Sequence, residues 1–282
     1  MILFKHSKDL RSHIEKIRHN DLRIGFVPTM GALHPGHISL IEKSKNETDI
    51  AVCSIYVNPV QFNNREDYKN YPAKIEADIL MLEKSGCDIL FLPGGKEIYP
   101  DENAKKKHFD IGYLETILEG KYRPGHFQGV CLVVEKLLRI VEPTHLFLGQ
   151  KDFQQSLIII KLASLICKNL EVIIAPTLRE SNGLAMSSRN LRLTDEEKDI
   201  AAELYKSLVQ IKEELAPGEI QSLKKKVTSK LEDWGFKIDY LEIAIAENLE
   251  IIDSLTSTEG LIILVAAFLN NVRLIDNLLV TA

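Results

Sequence analysis

The sequence predicts an α/β chain: a doubly wound parallel-sheet (Rossmann-like) domain over residues 1–176 and a smaller α+β domain over residues 177–282. Three observations carry this. Through residue 176, short apolar runs rich in strand-forming residues alternate with longer amphipathic stretches, as parallel strands and their crossover helices require. Beyond residue 177 the order changes to helices followed by strands, the pattern of an α+β unit. The composition, 45% hydrophobic and 27% charged with 15 Gly and 10 Pro in 282 residues, is that of a globular chain able to bury a full core.

In order along the chain, "RIGFVPTM" (23–30) predicts a strand and 37–47 a helix; "DIAVCSIYV" (49–57) predicts a second strand and 72–85 a second helix. "CDILFLP" (87–93) is then followed by a helix over 126–142, "HLFLG" (145–149) by a helix over 152–168, and "LEVIIAP" (170–176) closes the sheet. In such a sheet, ligands bind at the carboxyl ends of the strands, where the loops and helix N-termini gather. In the second domain "SSRNLRLTDEEKD" begins a long helix. Thr194 followed by Asp195, Glu196 and Glu197 forms a capping box, with extra acid where the helix dipole favours it. Another helix follows Pro217, and three strands come last: "KIDYLEIAIA" (237–246), "GLIILVAAFL" (260–269) and "VRLIDNLLV" (272–280). No internal repeat or low-complexity linker interrupts the chain.

Several function classes are excluded at this stage. With 35 Lys+Arg against 40 Asp+Glu and a formal charge of −5, the chain lacks the basic footprint of a nucleic-acid binder. The four cysteines, Cys53, Cys87, Cys131 and Cys167, form no CxxC pair and lie in or beside apolar runs, as buried thiols in a reducing compartment do. The N-terminus carries charge from Lys5 onward and has no signal-peptide core. The longest apolar run, "LIILVAAFL", falls well short of the roughly 20 residues needed to cross a bilayer. A soluble, cytoplasmic protein is expected.

The chemistry-bearing segments cluster at predicted strand ends. "VPTMGALHPGH" joins a strand to a helix, with Pro35 and Gly36 turning the chain between His34 and His37. With His34 at the cap and His37 in the first turn, both imidazoles and the unpaired N–H groups of the helix start converge on one place suited to phosphate. A surface pair or two metal ligands are the alternative readings, although a catalytic zinc site needs a third protein ligand and none is evident nearby. "NPVQF" and "GQKDFQQ" also follow strands. Gln61 and Gln155 offer donors and an acceptor each, suited to a small hydroxy acid. Gln155 is equally readable as the third residue of a capping box begun by Asp152. Lys151 opposes the helix dipole there, which points to a phosphate. "LAMSSRN" offers hydroxyls and an arginine able to enclose a triphosphate, or a Ser-rich turn before the Thr194 cap. "EGKYRPGHFQGV" places Arg123 and His126 in another turn before a helix, where Arg123 is readable as an anion holder or the segment as a solvated loop.

Taken in order, "FVPTMGALHPGH", "SIYVNPVQF", "EGKYRPGHFQGV", "GQKDFQQ", "GLAMSSRN", "IDYLEI" and "RLIDN" resemble, nearly end to end, the pantothenate synthetase (pantoate–β-alanine ligase) family of the HxGH nucleotidyltransferase-like superfamily. HxGH marks only the superfamily; the glutamine motifs and "MSSRN" are family-specific. The resemblance implies an AMP-forming ligase of the coenzyme A pathway, in which (R)-pantoate attacks ATP to give pantoyl adenylate and pyrophosphate. The amine of β-alanine then displaces AMP to give pantothenate. It further implies that Met30, Gly31, His34, Gly36 and His37 belong to the ATP site, with His34 and His37 catalytic at the phosphates and His37 as proton donor or transition-state stabiliser. Gly149, Gln150, Lys151, Asp152, Leu178, Met186, Ser187, Ser188 and Arg189 complete that site, with Lys151 and Arg189 acting on the phosphates. Gln61 and Gln155 are implied to hold pantoate, and Gln61 also β-alanine. Mg²⁺ is expected on the phosphates with no protein metal cage, residues 177–282 act as a lid, and the enzyme is a homodimer. Two other classes share parts of this pattern: a nucleotidyltransferase with a nucleotide-linked product, which has no need of the glutamine pair, and a nucleotide sensor that releases nothing.

Overall fold

The computed structural model describes residues 1–167, 169–255 and 260–280. The chain falls into two units. Met1–Gly149 and Gln155–Pro176 form the first, and Gln150–Gln154 clusters with Thr177–Ala282 in the second.

In the first unit, β1 (Ile2–Phe4) and α1 (Ser7–Arg18) come before any element the sequence predicts. The apolar run that forms β1 is cut short by Lys5, unlike the longer run around β4, whereas α1 buries Leu10, Ile14 and Ile17 at helical spacing. The predicted strands then follow as β2 (Ile24–Thr29), β3 (Ile50–Ile55), β4 (Ile89–Phe91), β5 (His145–Gly149) and β6 (Glu171–Ala175). Between them run α2 (Pro35–Glu47), the short α3 (Arg65–Lys69), α4 (Ile75–Lys84), the short α5 (Gly95–Ile98) and α6 (Leu118–Tyr122), α7 (His126–Val141) and α8 (Phe153–Ile166). The predicted end of the last helix, residue 168, lies outside the described residues.

The six strands run in the order β1-β4-β3-β2-β5-β6, with every pairing parallel. From β2 the chain winds outward through β3 and β4, then crosses back to lay β5 and β6 on the other side. The order reverses between β2 and β5, which defines the switch point where doubly wound sheets bind ligands. Both faces are covered, so strand residues of either parity are apolar. Phe26, Val52, Leu146 and Leu148 share one core with α1, α7 and α8, while Val27, Cys53, Ile55 and Phe147 share the other with α2 and α4.

The second unit contains α9 (Asp195–Ala201), α10 (Glu203–Glu214), α11 (Ile220–Asp233) and the antiparallel sheet β7 (Phe236–Ile245), β8 (Leu261–Leu269), β9 (Val272–Val280) in that spatial order. The capping box forms: the Glu197 N–H donates to Thr194 Oγ1 at 3.2 Å and the Thr194 N–H to Glu197 Oε2 at 2.8 Å. "SRNLR" is a 3-10 turn over Ser188–Arg192, capped by Ser187, rather than the start of that helix. The predicted long helix is divided at Ala202, which keeps right-handed angles (φ −64°, ψ −20°) and still accepts from the Lys206 N–H at 3.2 Å. Helices and strands enclose one core, including Leu204, Leu208, Val227, Leu231, Ile243 and Ile263.

Candidate active site

Two parallel strands, β2 and β5, flank the switch point, and their carboxyl ends at Thr29 and Gly149 leave the sheet on the same side. The loop after β2 turns sharply. Gly31 has φ 81° and Ala32 φ 47°, so two consecutive residues are left-handed, and for a non-glycine such as Ala32 this costs roughly 1–2 kcal/mol. Asp78 of α4 holds the strained turn in place. Its Oδ2 accepts from the Ala32 N–H at 2.9 Å and its Oδ1 from the Leu33 N–H at 2.8 Å. Asp78 is buried, and burial pushes its carboxyl above the usual range although the two N–H donors oppose the shift. The sequence reading did not single it out. The signal was present: Asp78 occupies an apolar-face position among Ile75, Ile79 and Leu82 of α4.

The loop delivers His34 to the N-cap of α2, with Pro35 as its first helical residue and His37 in its first turn. The His37 N–H donates to the His34 carbonyl at 2.8 Å, and the His34 N–H points to His37 Nδ1 at 3.4 Å. With Nδ1 accepting, the proton of a neutral His37 ring resides on Nε2. The two rings lie 4.0 Å apart between centroids, so one helix start carries both imidazoles. Among the described residues, no group of three or more His, Cys, Asp and Glu side chains is placed to hold a metal ion.

Gln61 ends the 3-10 turn Pro59–Gln61 after β3 and is buried. Its amide orientation is set by neighbours. The Tyr99 hydroxyl donates to Asn58 Oδ1 at 3.0 Å, and Asn58 Nδ2 donates to Gln61 Oε1 at 3.1 Å and to the Gly129 carbonyl at 3.0 Å. The oxygen of Gln61 is thereby engaged, and Nε2 points to Met30 Sδ, 3.1 Å away. His126 Nδ1 lies 2.8 Å from the Gln61 carbonyl oxygen. Gly129 lets α7 approach, since a Cβ there would stand 2.7 Å from Gln61 Cα. Asn58, Tyr99 and Gly129 are further residues that the sequence reading did not assign. His126 is buried and bonded to main chain rather than part of a solvated loop, and the Arg123 guanidinium lies 3.4 Å from Glu119 Oε2.

Thus the first unit places Met30 and Gly31 in the loop after β2, His34, Gly36 and His37 at the start of α2, and Gln61 against Met30, with Gly149 at the end of the strand beside β2. Gln155 is the third residue of α8, and Asp152 immediately precedes that helix, the placement required by the capping reading.

The second unit holds the other set. Gln150, Lys151 and Asp152 form a 3-10 turn in which Lys151 Nζ lies 4.0 Å from Asp152 Oδ1. Leu178 accepts from the Met186 N–H at 3.0 Å, and an antiparallel bridge joins Arg179 to Ala185, so both residues sit at the base of one small hairpin. Ser187 Oγ accepts from the Arg189 N–H at 3.2 Å, making Ser187 the cap of the turn that carries Ser188 and Arg189. A hydroxyl that accepts there retains its own proton to donate, so capping and phosphate contact are compatible.

Comparison with known proteins gives concordant results. The profile of the family described as pantoate-beta-alanine ligase matches residues 2–279. A pantothenate synthetase of Cytophaga hutchinsonii is 43% identical over 285 residues, covering 99% of both chains. One from Thermosipho africanus is 42% identical over 275 residues, covering 97% of this chain and 98% of that one. The crystal structure of pantothenate synthetase from Thermus thermophilus superposes with a TM-score of 0.90 at 36% identity over the whole of both chains. That of the Francisella tularensis pantoate-beta-alanine ligase, complexed with beta-gamma ATP and beta-alanine, superposes with a TM-score of 0.82 at 40% identity, covering 99% of this chain and 97% of that one.

Proposed function

The chain belongs to the pantoate–β-alanine ligase family, and on that premise we propose how its own residues carry out the ATP-dependent joining of pantoate to β-alanine. In the first step a pantoate carboxylate oxygen attacks the α-phosphorus, the bond to the bridging oxygen breaks, and pyrophosphate leaves. In the second, the β-alanine amine attacks the acyl carbon of pantoyl adenylate, AMP leaves, and the nitrogen loses a proton as the amide of pantothenate forms.

The attacking carboxylate is already ionised near neutral pH, so the first step needs alignment and charge neutralisation more than a base. Met30, Gly31, His34, Gly36 and His37 cradle ATP at the start of α2. With its Nδ1 facing the His34 N–H, His37 presents an Nε2–H donor to the phosphates. Gly149, Gln150, Lys151, Asp152, Leu178, Met186, Ser187, Ser188 and Arg189 complete the nucleotide contacts, Lys151 and Arg189 countering phosphate charge. Mg²⁺ arrives with ATP, held through the phosphates. Gln61 and Gln155 bind pantoate, and Gln61 also meets β-alanine. The observation that supports this reading is the contact of Gln61 Nε2 with Met30 Sδ, because it joins the amide read as acid-binding to the loop that leads to the histidines. The C-terminal unit serves as a lid that keeps water from the hydrolysable adenylate. The enzyme works in the cytoplasm as a homodimer, which light scattering of the purified protein measures; among the described residues no helix is long and apolar enough to cross a membrane.

Product analysis tests the chemistry. Pyrophosphate is expected from ATP with pantoate alone, and AMP release with pantothenate only once β-alanine is added. Pyrophosphate formation that ignores pantoate, or AMP release without an amine, would overturn the two-step scheme.

A further inference from the structure

The motif "RLIDN" near the C-terminus has no role in the scheme above, yet its last two residues, Asp276 and Asn277, are buried and hydrogen-bonded to segments outside their sheet. Asp276 and Asn277 are adjacent on β9, so their side chains project to opposite faces. Val272, Leu274, Leu278 and Val280, which share the parity of Asp276, belong to the apolar core. A carboxylate stands where the period calls for another apolar side chain, and it is only 5% exposed.

Asp276 meets Arg179 in a bidentate pair, NH1 to Oδ2 at 2.6 Å and NH2 to Oδ1 at 2.9 Å. Arg179 also donates to the Gly183 carbonyl at 3.1 Å and lies over the Tyr205 ring at 3.6 Å. The guanidinium is therefore held on several sides, and with it the hairpin whose base is Leu178 and Met186. Asn277, 2% exposed, grips the other segment. Its Nδ2 donates to the carbonyls of Gln150 and Lys151, both at 2.9 Å, and its Oδ1 accepts from Gln150 Nε2 at 3.2 Å. A buried ion pair adds little stability over an apolar pair of similar volume. What this arrangement supplies is geometry: two chain segments far apart in sequence are pinned to consecutive residues of one strand.

We propose that Asp276 and Asn277 are positioning residues for ATP, β9 serving as a clamp that sets the Gln150–Lys151 turn with one side chain and the Leu178–Met186 hairpin with the other. The proposal rests on the assignment of Lys151 to the phosphates given above. Neither residue touches the nucleotide; each acts through the backbone that carries those that do. Because the clamp fixes both segments at once, its loss falls on ATP and spares pantoate and β-alanine.

The test is a double-mutant cycle on the full-length enzyme, reading KM for each substrate in wild type, Asn277→Ala, Lys151→Ala and the double variant. Asn277→Ala removes three hydrogen bonds and, because it acts on ATP only through the turn it positions, is expected to raise KM for ATP about 3- to 10-fold, with KM for pantoate changed less than about twofold. In the Lys151→Ala background the same change is expected to add less than about twofold, since the group it positions is gone. An equal factor in both backgrounds, or equal rises for ATP and pantoate, would show a general structural role and overturn the clamp. If Lys151→Ala alone leaves KM for ATP unchanged, the assignment of Lys151 fails and the clamp with it, an outcome distinct from the first. Should Asn277→Ala not melt cooperatively, Asn277→Ser, which keeps one donor, replaces it under the same criteria.

Discussion

The His34–His37 pair shows how much chemistry a three-residue spacing can hold. His37 Nδ1 is turned to the His34 N–H, which leaves Nε2 as the ring's proton-bearing atom. His34→Ala and His37→Ala are each expected to lower pantoate-dependent ATP–pyrophosphate exchange by about 10²–10³, as for removal of one preorganised charge stabiliser. Normal exchange in a cooperatively melting variant would remove that histidine from the mechanism. Gln61 is governed by a more distant residue. Its amide faces Met30 because Asn58 holds its oxygen, and Asn58 is in turn oriented by the Tyr99 hydroxyl, whose pKa burial drives upward. Tyr99→Phe deletes only that hydroxyl, and the unlocked amide is expected to weaken pantoate binding by about 0.5–1.5 kcal/mol, seen as a rise in KM for pantoate with KM for ATP unchanged. A uniform change in both constants would point to disturbed packing instead.

At the scale of elements, α4 and the loop entering α2 depend on each other through Asp78. The left-handed Gly31 and Ala32 persist because a buried carboxylate satisfies the N–H groups of Ala32 and Leu33. The pH dependence follows from the direction of its shift. A carboxyl whose folded pKa lies above its unfolded value is favoured in its protonated form by folding, so its contribution is complete below the unfolded pKa and is lost as pH rises through the folded one. The stability of wild type relative to Asp78→Asn, from urea melts across a pH series, should therefore be greatest in acid and decline as pH climbs above about 4. A difference that grows with pH would mean that the two backbone donors outweigh burial.

For the whole molecule, the lid reading makes Ser187, Ser188 and Arg189 responsive to ligands. ATP and pantoate together are expected to protect amides of residues 183–192 from hydrogen exchange more than ATP alone, and Arg189→Ala to keep ATP binding while losing most adenylation. Unchanged exchange in that segment together with full activity in Arg189→Ala would reduce "MSSRN" to the turn that Ser187 caps.

What the sequence by itself determined was local in origin. The strands β2 to β6, their crossover helices, the Thr194–Glu197 box and the placing of His34 and His37 at a helix start are written in patterns spanning a few residues, where periodicity and capping act directly. β1 was invisible because its apolar run is cut short by Lys5, whereas the equally short β4 lies inside the longer run "CDILFLP", and Ala202 because no residue type there breaks a helix. Tertiary structure alone decided the partners of the site: Asp78 on the loop at Ala32, Tyr99 on Asn58, His126 and Gly129 on Gln61, and Asn277 on Gln150 and Lys151. A buried polar side chain must find its hydrogen bonds wherever packing brings a donor or acceptor. That meeting depends on the course of the whole sheet and not on neighbours along the chain.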